Sequence, residues 1–207
     1  MSVTVKICGI TSQADATAAA EAGADAIGLM FYKESPRYVT IEEAKEICEV
    51  LPPHIMRVGV FVNGDEAFIN RALNECLLNI LQFHGDETSE DCARYPVMTL
   101  KAFRVQGPET LEQMKDYSTA GFLLDAYTKE ARGGTGEKFN WDLAVQAQQL
   151  RKPVFLAGGL TSDNVAKAVQ KVEPFGVDVS SGVESEPGKK DPEKMIAFVK
   201  AAKNALG

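Results

Sequence analysis

The chain has 207 residues, 45% of them hydrophobic and 25% charged, and carries a formal net charge of −7. That composition describes a globular protein of one large domain or two small ones, and no apolar run approaches the roughly 18 residues that a membrane-spanning helix needs. An acidic chain without a basic run is not built to bind nucleic acid, so an anionic small molecule would have to meet a locally positive site.

The first segment, MSVTVKICGI, is apolar but short and has no basic leader, so it reads as a first strand and not as a signal peptide. Seven further apolar runs follow: AIGLMF from Ala26, MRVGVF from Met56, NILQFH from Asn79, MTLKAF from Met98, GFLLDA from Gly121, PVFLAG from Pro153 and GVDVSS from Gly176. Their starts average about 25 residues apart, the spacing of a supersecondary repeat. Helical stretches separate them. Thr40 with Glu43 is a capping box, Asn63 with Glu66 a weaker one, and Asp191-Pro192 is a cap followed by proline at the first helical position. Thr88, Asn140 and Thr161 are candidate caps for other helices.

Strict strand–helix alternation calls for parallel strands with helical crossovers. Eight units in an unbroken chain predict a single-domain α/β protein over residues 1–207, a closed (β/α)8 TIM barrel near the small end of its size range. An open doubly wound sheet is the competing architecture, because both bury parallel strands. The long irregular stretch from Ala126 to Phe139, with Gly133, Gly134 and Gly136, is a candidate lid loop.

In either architecture ligands meet the C-terminal ends of strands. Gly158-Gly159, expected directly before a helix, bring backbone N–H groups to an anion, and Ser180, Ser181 and Gly182 add amides and hydroxyls. An isolated Gly-Gly pair fits a plain tight turn equally well; two such loops at consecutive strand ends favour phosphate.

On the first strand Thr4, Lys6 and Cys8 share one face and Val3, Val5 and Ile7 the other, which turns Lys6 and Cys8 into the barrel. A lysine there needs a carboxylate, and the inward Asp178 on the neighbouring eighth strand is the expected partner. Cys48, Cys76 and Cys92 read as small buried hydrophobes. With no CxxC and no short spacing to His54 or His84, the four cysteines suggest free thiols in a reducing cytoplasm and no metal site. Asp125 ends a strongly apolar strand, as a general acid or as a structural cap. Arg37, stiffened by Pro36, offers a fork for a carboxylate or is a plain surface arginine. His84 reads as a hydrogen-bonded structural histidine sooner than as a base.

With those residues placed, KICGI, SPRYV, VGVFVN, LQFHG, LLDA, GGTGEKFNW, LAGGLTSDNV, GVDVSSGVE and PGKKD together resemble the phosphoribosylanthranilate isomerase family, in order and along the whole chain. Phe83 departs slightly, standing where leucine is expected. The resemblance implies a phosphate-binding (ribulose-phosphate-binding) barrel of tryptophan biosynthesis that works without a cofactor. It implies Cys8 as general base, Asp125 as general acid and Arg37 as holder of the anthranilate carboxylate. It places Gly158, Gly159, Asp178, Ser180, Ser181 and Gly182 at the substrate, and Gly133 to Gly136 in a closing loop. Rival readings are the histidine-pathway isomerase, whose first-strand base would be an aspartate where this chain has Cys8, and a non-catalytic binder of a phosphorylated ligand on the same fold. A monomer and a homodimer are both compatible with the helical exterior.

Overall fold

The computed structural model describes residues 3–105, 107–125 and 141–206. Eight parallel strands close in sequence order, β1 pairing with both β2 and β8. They are β1 Thr4–Cys8, β2 Ala26–Met30, β3 Met56–Phe61, β4 Ile80–Phe83, β5 Met98–Arg104, β6 Gly121–Asp125, β7 Val154–Ala157 and β8 Gly176–Val179. Closure decides between the two architectures left open by periodicity. The crossover helices are α1 Gln13–Glu21, α2 Ile41–Glu49, α3 Glu66–Glu75, α4 Ser89–Ala93, α5 Pro108–Met114, α6 Trp141–Ala147 and α7 Val165–Val172, and α8 Pro192–Lys203 follows the last strand. Between β8 and α8 a small antiparallel hairpin forms from β9 Glu184–Glu186 and β10 Lys189–Lys190.

Period-2 alternation sorts each strand into two layers. Val5, Ile7, Leu29, Phe61, Leu81, Phe83 and Leu124 join the large outer cluster against the helices. Ala26, Val58, Ile80, Leu100, Leu123, Phe155 and Ala157 fill the barrel interior. Interior packing of this kind leaves the mouth, formed by the C-terminal strand ends, as the place for polar side chains.

Local chemistry explains the helix starts. Thr40 and Thr88 make complete capping boxes with Glu43 and Asp91, and Asp191 caps α8 through the Glu193 and Lys194 amides. The expected Asn63 cap is incorrect: Asp65 caps α3 by accepting from the Phe68 amide. Asn63 takes a left-handed φ of 50° and its side chain turns to the next loop, accepting from the Asp86 amide at 2.7 Å. Asn140 lies outside the described residues. Among the described residues no helix is long and apolar enough to cross a membrane.

Candidate active site

Lys6 and Asp178 meet across the β1–β8 seam, Nζ to Oδ1 at 2.9 Å, as inward alternation on neighbouring strands requires. Lys6 is 1% exposed and Asp178 8%. Burial opposes the charge on Lys6, but Asp178 and then Cys8 outweigh it and hold the ammonium above the usual lysine range. The Asp178 carboxylate is therefore already engaged by a cation at the floor of the mouth.

Cys8, one pleat further on, is buried as a free thiol. Burial pushes its pKa above the ordinary thiol value; Lys6 and Lys190 pull the other way, and Asp178 adds to the rise. Space for the sulfur comes from β2: a Cβ at Gly28 would stand 2.6 Å from Cys8 Sγ and 3.1 Å from Cys8 Cα.

Arg37 follows β2 and grips Glu184 fork to fork, Nε to Oε1 at 2.7 Å and Nη2 to Oε2 at 2.6 Å. Glu184 also accepts from Lys190 Nζ at 2.8 Å, and that ammonium reaches the Ser180 carbonyl at 3.3 Å. Burial works against ionised Glu184, yet the two donors keep its carboxyl below the usual range. Gly9 holds a left-handed φ of 74° directly beneath this group, where a Cβ would press on Arg37 Cδ at 2.5 Å. Sequence reasoning missed Glu184 and Lys190 as site residues. Their signal was Pro187-Gly188 between charged residues, a turn that folds β10 back on β9 and brings Lys190 to Glu184.

Gly158 and Gly159 have positive φ values of 83° and 66°, and a Cβ at Gly159 would meet nothing within 4 Å. The helix does not begin directly after them. Asn164 closes an intervening turn by accepting from the Thr161 amide at 2.8 Å and donating to the Gly159 carbonyl at 3.0 Å, so α7 starts at Val165. Ser181 and Gly182 belong to a single 3-10 turn after β8. A Cβ on Gly182 would collide with the Leu160 carbonyl, so the loops after β7 and β8 are in contact.

Asp125 ends β6 on the inward face shared with Leu123. His84 stands beside it, Nε2 to Oδ2 at 3.3 Å, so the expected polar partner of this histidine includes the candidate acid itself. Its other ring nitrogen lies 3.3 Å from Gln82 Nε2. Gly133, Gly134 and Gly136 lie outside the described residues. Among the described residues no group of three or more His, Cys, Asp or Glu side chains is arranged to hold a metal ion.

The mouth thus gathers a thiol, a carboxylate, several cations and two touching glycine-containing loops on one rim. Residues 5–201 match the family model described as N-(5'phosphoribosyl)anthranilate (PRA) isomerase. The chain is 50% identical over 204 residues to the N-(5'-phosphoribosyl)anthranilate isomerase of Trichlorobacter lovleyi, covering 99% of this chain and 100% of that one. It superposes on the phosphoribosyl anthranilate isomerase of Thermotoga maritima with a TM-score of 0.91 at 42% identity, over 97% of this chain and 98% of the other. A second phosphoribosyl anthranilate isomerase structure, in complex with reduced 1-(o-carboxyphenylamino)-1-deoxyribulose 5-phosphate, matches with a TM-score of 0.88 at 40% identity over 97% and 98% of the two chains. The chain belongs to the N-(5'-phosphoribosyl)anthranilate isomerase family.

Proposed function

We propose that Cys8 and Asp125 divide the acid–base work of this isomerase, which converts N-(5-phosphoribosyl)anthranilate to 1-(2-carboxyphenylamino)-1-deoxyribulose 5-phosphate in tryptophan biosynthesis. The observation that carries the division is their setting. Cys8 lies against buried cations and Asp125 ends the opposite side of the mouth beside a histidine. Asp125 gives its carboxyl proton to the furanose oxygen, the ring C–O bond breaks, and the anilino nitrogen lone pair closes a C=N bond. The iminium cation acidifies the proton on the sugar's second carbon. Cys8 takes that proton as thiolate, and the C–H electrons form a C=C bond while the iminium π pair returns to nitrogen. The enolamine then loses its enol proton and gains one at the first carbon, giving the ketose without net redox change. Burial keeps the resting thiol neutral, so Cys8 first releases its own proton to water at the open mouth, and Lys6 and Lys190, with the iminium charge, favour the thiolate that is left.

The amides of Gly158, Gly159, Ser181 and Gly182 receive the phosphate, with the Ser180 hydroxyl at their edge, and Arg37 receives the anthranilate carboxylate. Asp178 acts there through Lys6. We take residues 1–207 as one domain whose single barrel, alone or in a homodimer, holds a complete site, and a reducing cytoplasm suits its free thiols. Purified protein given phosphoribosylanthranilate should quench the substrate's fluorescence, and no loss of signal at high enzyme concentration would overturn the reading.

A further inference from the structure

Gln82 sits on β4 with 1% of its surface exposed, and its Oε1 is a buried oxygen without a hydrogen-bond partner among the described residues. An orphaned amide oxygen in a barrel interior is costly and calls for a reason. The same amide presents Nε2 to His84 Nδ1 at 3.3 Å, and His84 Nε2 faces Asp125 Oδ2 at 3.3 Å. With Gln82 donating, Nδ1 is an acceptor, the ring proton sits on Nε2, and it points at Asp125 Oδ2. This arrangement matches the acid after it has given up its proton.

The loaded pair carries one proton more. Where that proton lies between Oδ2 and Nε2, it is shared as carboxylic acid with neutral imidazole or as carboxylate with imidazolium, and in both of these microstates Nδ1 bears a hydrogen. A donating Gln82 cannot accept it. Turning the amide over brings the orphaned Oε1 to Nδ1 and changes almost nothing in shape, because the two ends of an amide are nearly isosteric. We propose that Gln82, His84 and Asp125 form a proton-counting relay, in which the Gln82 amide turns as the acid loads and His84 positions the transferable proton. This rests on the reading of Asp125 as general acid; the geometry of the relay does not. Among the described residues, the other charged groups on the flanking elements are Arg57 near the start of β3, Lys101 and Arg104 on β5, and Asp86 and Glu87 after β4. Lys101 is committed to Glu87 and the Gly85 carbonyl, at 2.8 and 2.6 Å.

Because His54 and His84 are the two histidines of the chain, ring-15N-histidine labelling gives two resolvable side chains, assigned with His54→Gln. As pH falls, Nδ1 of His84 should gain its proton while the Gln82 side-chain NH2 loses its hydrogen bond to that nitrogen. The midpoint should rise in Gln82→Glu and fall in Gln82→Met by roughly one pH unit each, about tenfold in the loaded population. In both variants the alkaline limb of kcat/KM should move with the midpoint, which a merely structural role would leave in place. A Gln82 amide that keeps donating to Nδ1 throughout the wild-type titration, or one midpoint common to all three proteins, would overturn the relay. Asp125→Asn should abolish the coupled titration. Should it do so yet retain full turnover, the relay stands and the acid assignment falls.

Discussion

Arg37 and Glu184 meet through two parallel hydrogen bonds of 2.7 and 2.6 Å, which fixes the plane of the guanidinium before any substrate arrives. The grip uses Nε and Nη2 and leaves the Nη1 edge for a second carboxylate. Arg37→Ala should therefore weaken binding chiefly, because a carboxylate held alike in ground and transition states affects KM more than kcat. The loss should be about 1.5–3 kcal/mol, read from steady-state kinetics. Unchanged KM and kcat would confine Arg37 to its pairing with Glu184 and remove it from substrate binding.

Glu184→Gln tests the grip from the other side and adds a pH signature. The folded Glu184 carboxyl lies below its usual value, so the stability it contributes is present above the unfolded value of about 4.3 and is lost as pH falls through the folded one. Wild type should exceed Glu184→Gln in urea midpoint at neutral pH, and the two curves should converge in acid. Parallel curves at every pH would mean that the Glu184 charge contributes nothing.

Cys8→Ser should fold normally, keep affinity for a reduced product analogue, and lose nearly all turnover, since a serine hydroxyl without an activating partner is a far poorer base. Asp125→Asn should stall earlier, at ring opening. Deuterium on the sugar's second carbon should therefore slow residual Cys8→Ser turnover more than Asp125→Asn turnover, and the reverse pattern would exchange the two roles.

The Cys8 thiol is pushed up by burial, and Lys6 opposes the rise. Lys6→Met removes that opposition and strands Asp178, so thiol alkylation should need a still higher pH and stability should drop by about 3–5 kcal/mol. An alkylation profile identical to wild type would separate Lys6 from the thiol.

Gly28→Ala places a methyl group where the sulfur and the Cys8 backbone already stand, at 2.6 and 3.1 Å. Strand β1 or the thiol must shift, at about 1–3 kcal/mol. Thermal melts should show the loss, and kcat should fall further than KM rises. Wild-type kcat would show that the thiol tolerates displacement.

Much of this was readable from side-chain period alone. Lys6, Cys8, Asp125 and Asp178 fall on inward positions once eight strands are assumed, and closure then makes the Lys6–Asp178 pair geometrically necessary. What escaped lay where backbone direction is set by turns. Asn63 resembles a cap, but its left-handed φ sends the side chain to the following loop and gives the cap to Asp65. Glu184 and Lys190 sit in a strap of charged residues that reads as solvated surface until the Gly188 turn folds it over the mouth. His84 escaped for another reason: its partner is two strands away, and only barrel curvature brings β4 and β6 ends together.

The Lys6–Asp178 pair joins residues 172 positions apart. A ribosome adding roughly 5–20 residues per second needs about 9–34 s to supply the aspartate after the lysine has been made. Throughout that interval a nascent barrel that closed without its last strand would bury the Lys6 ammonium alone, at a cost of several kcal/mol. The same charge that steadies the finished mouth thus raises the cost of closing the barrel before the eighth strand is available.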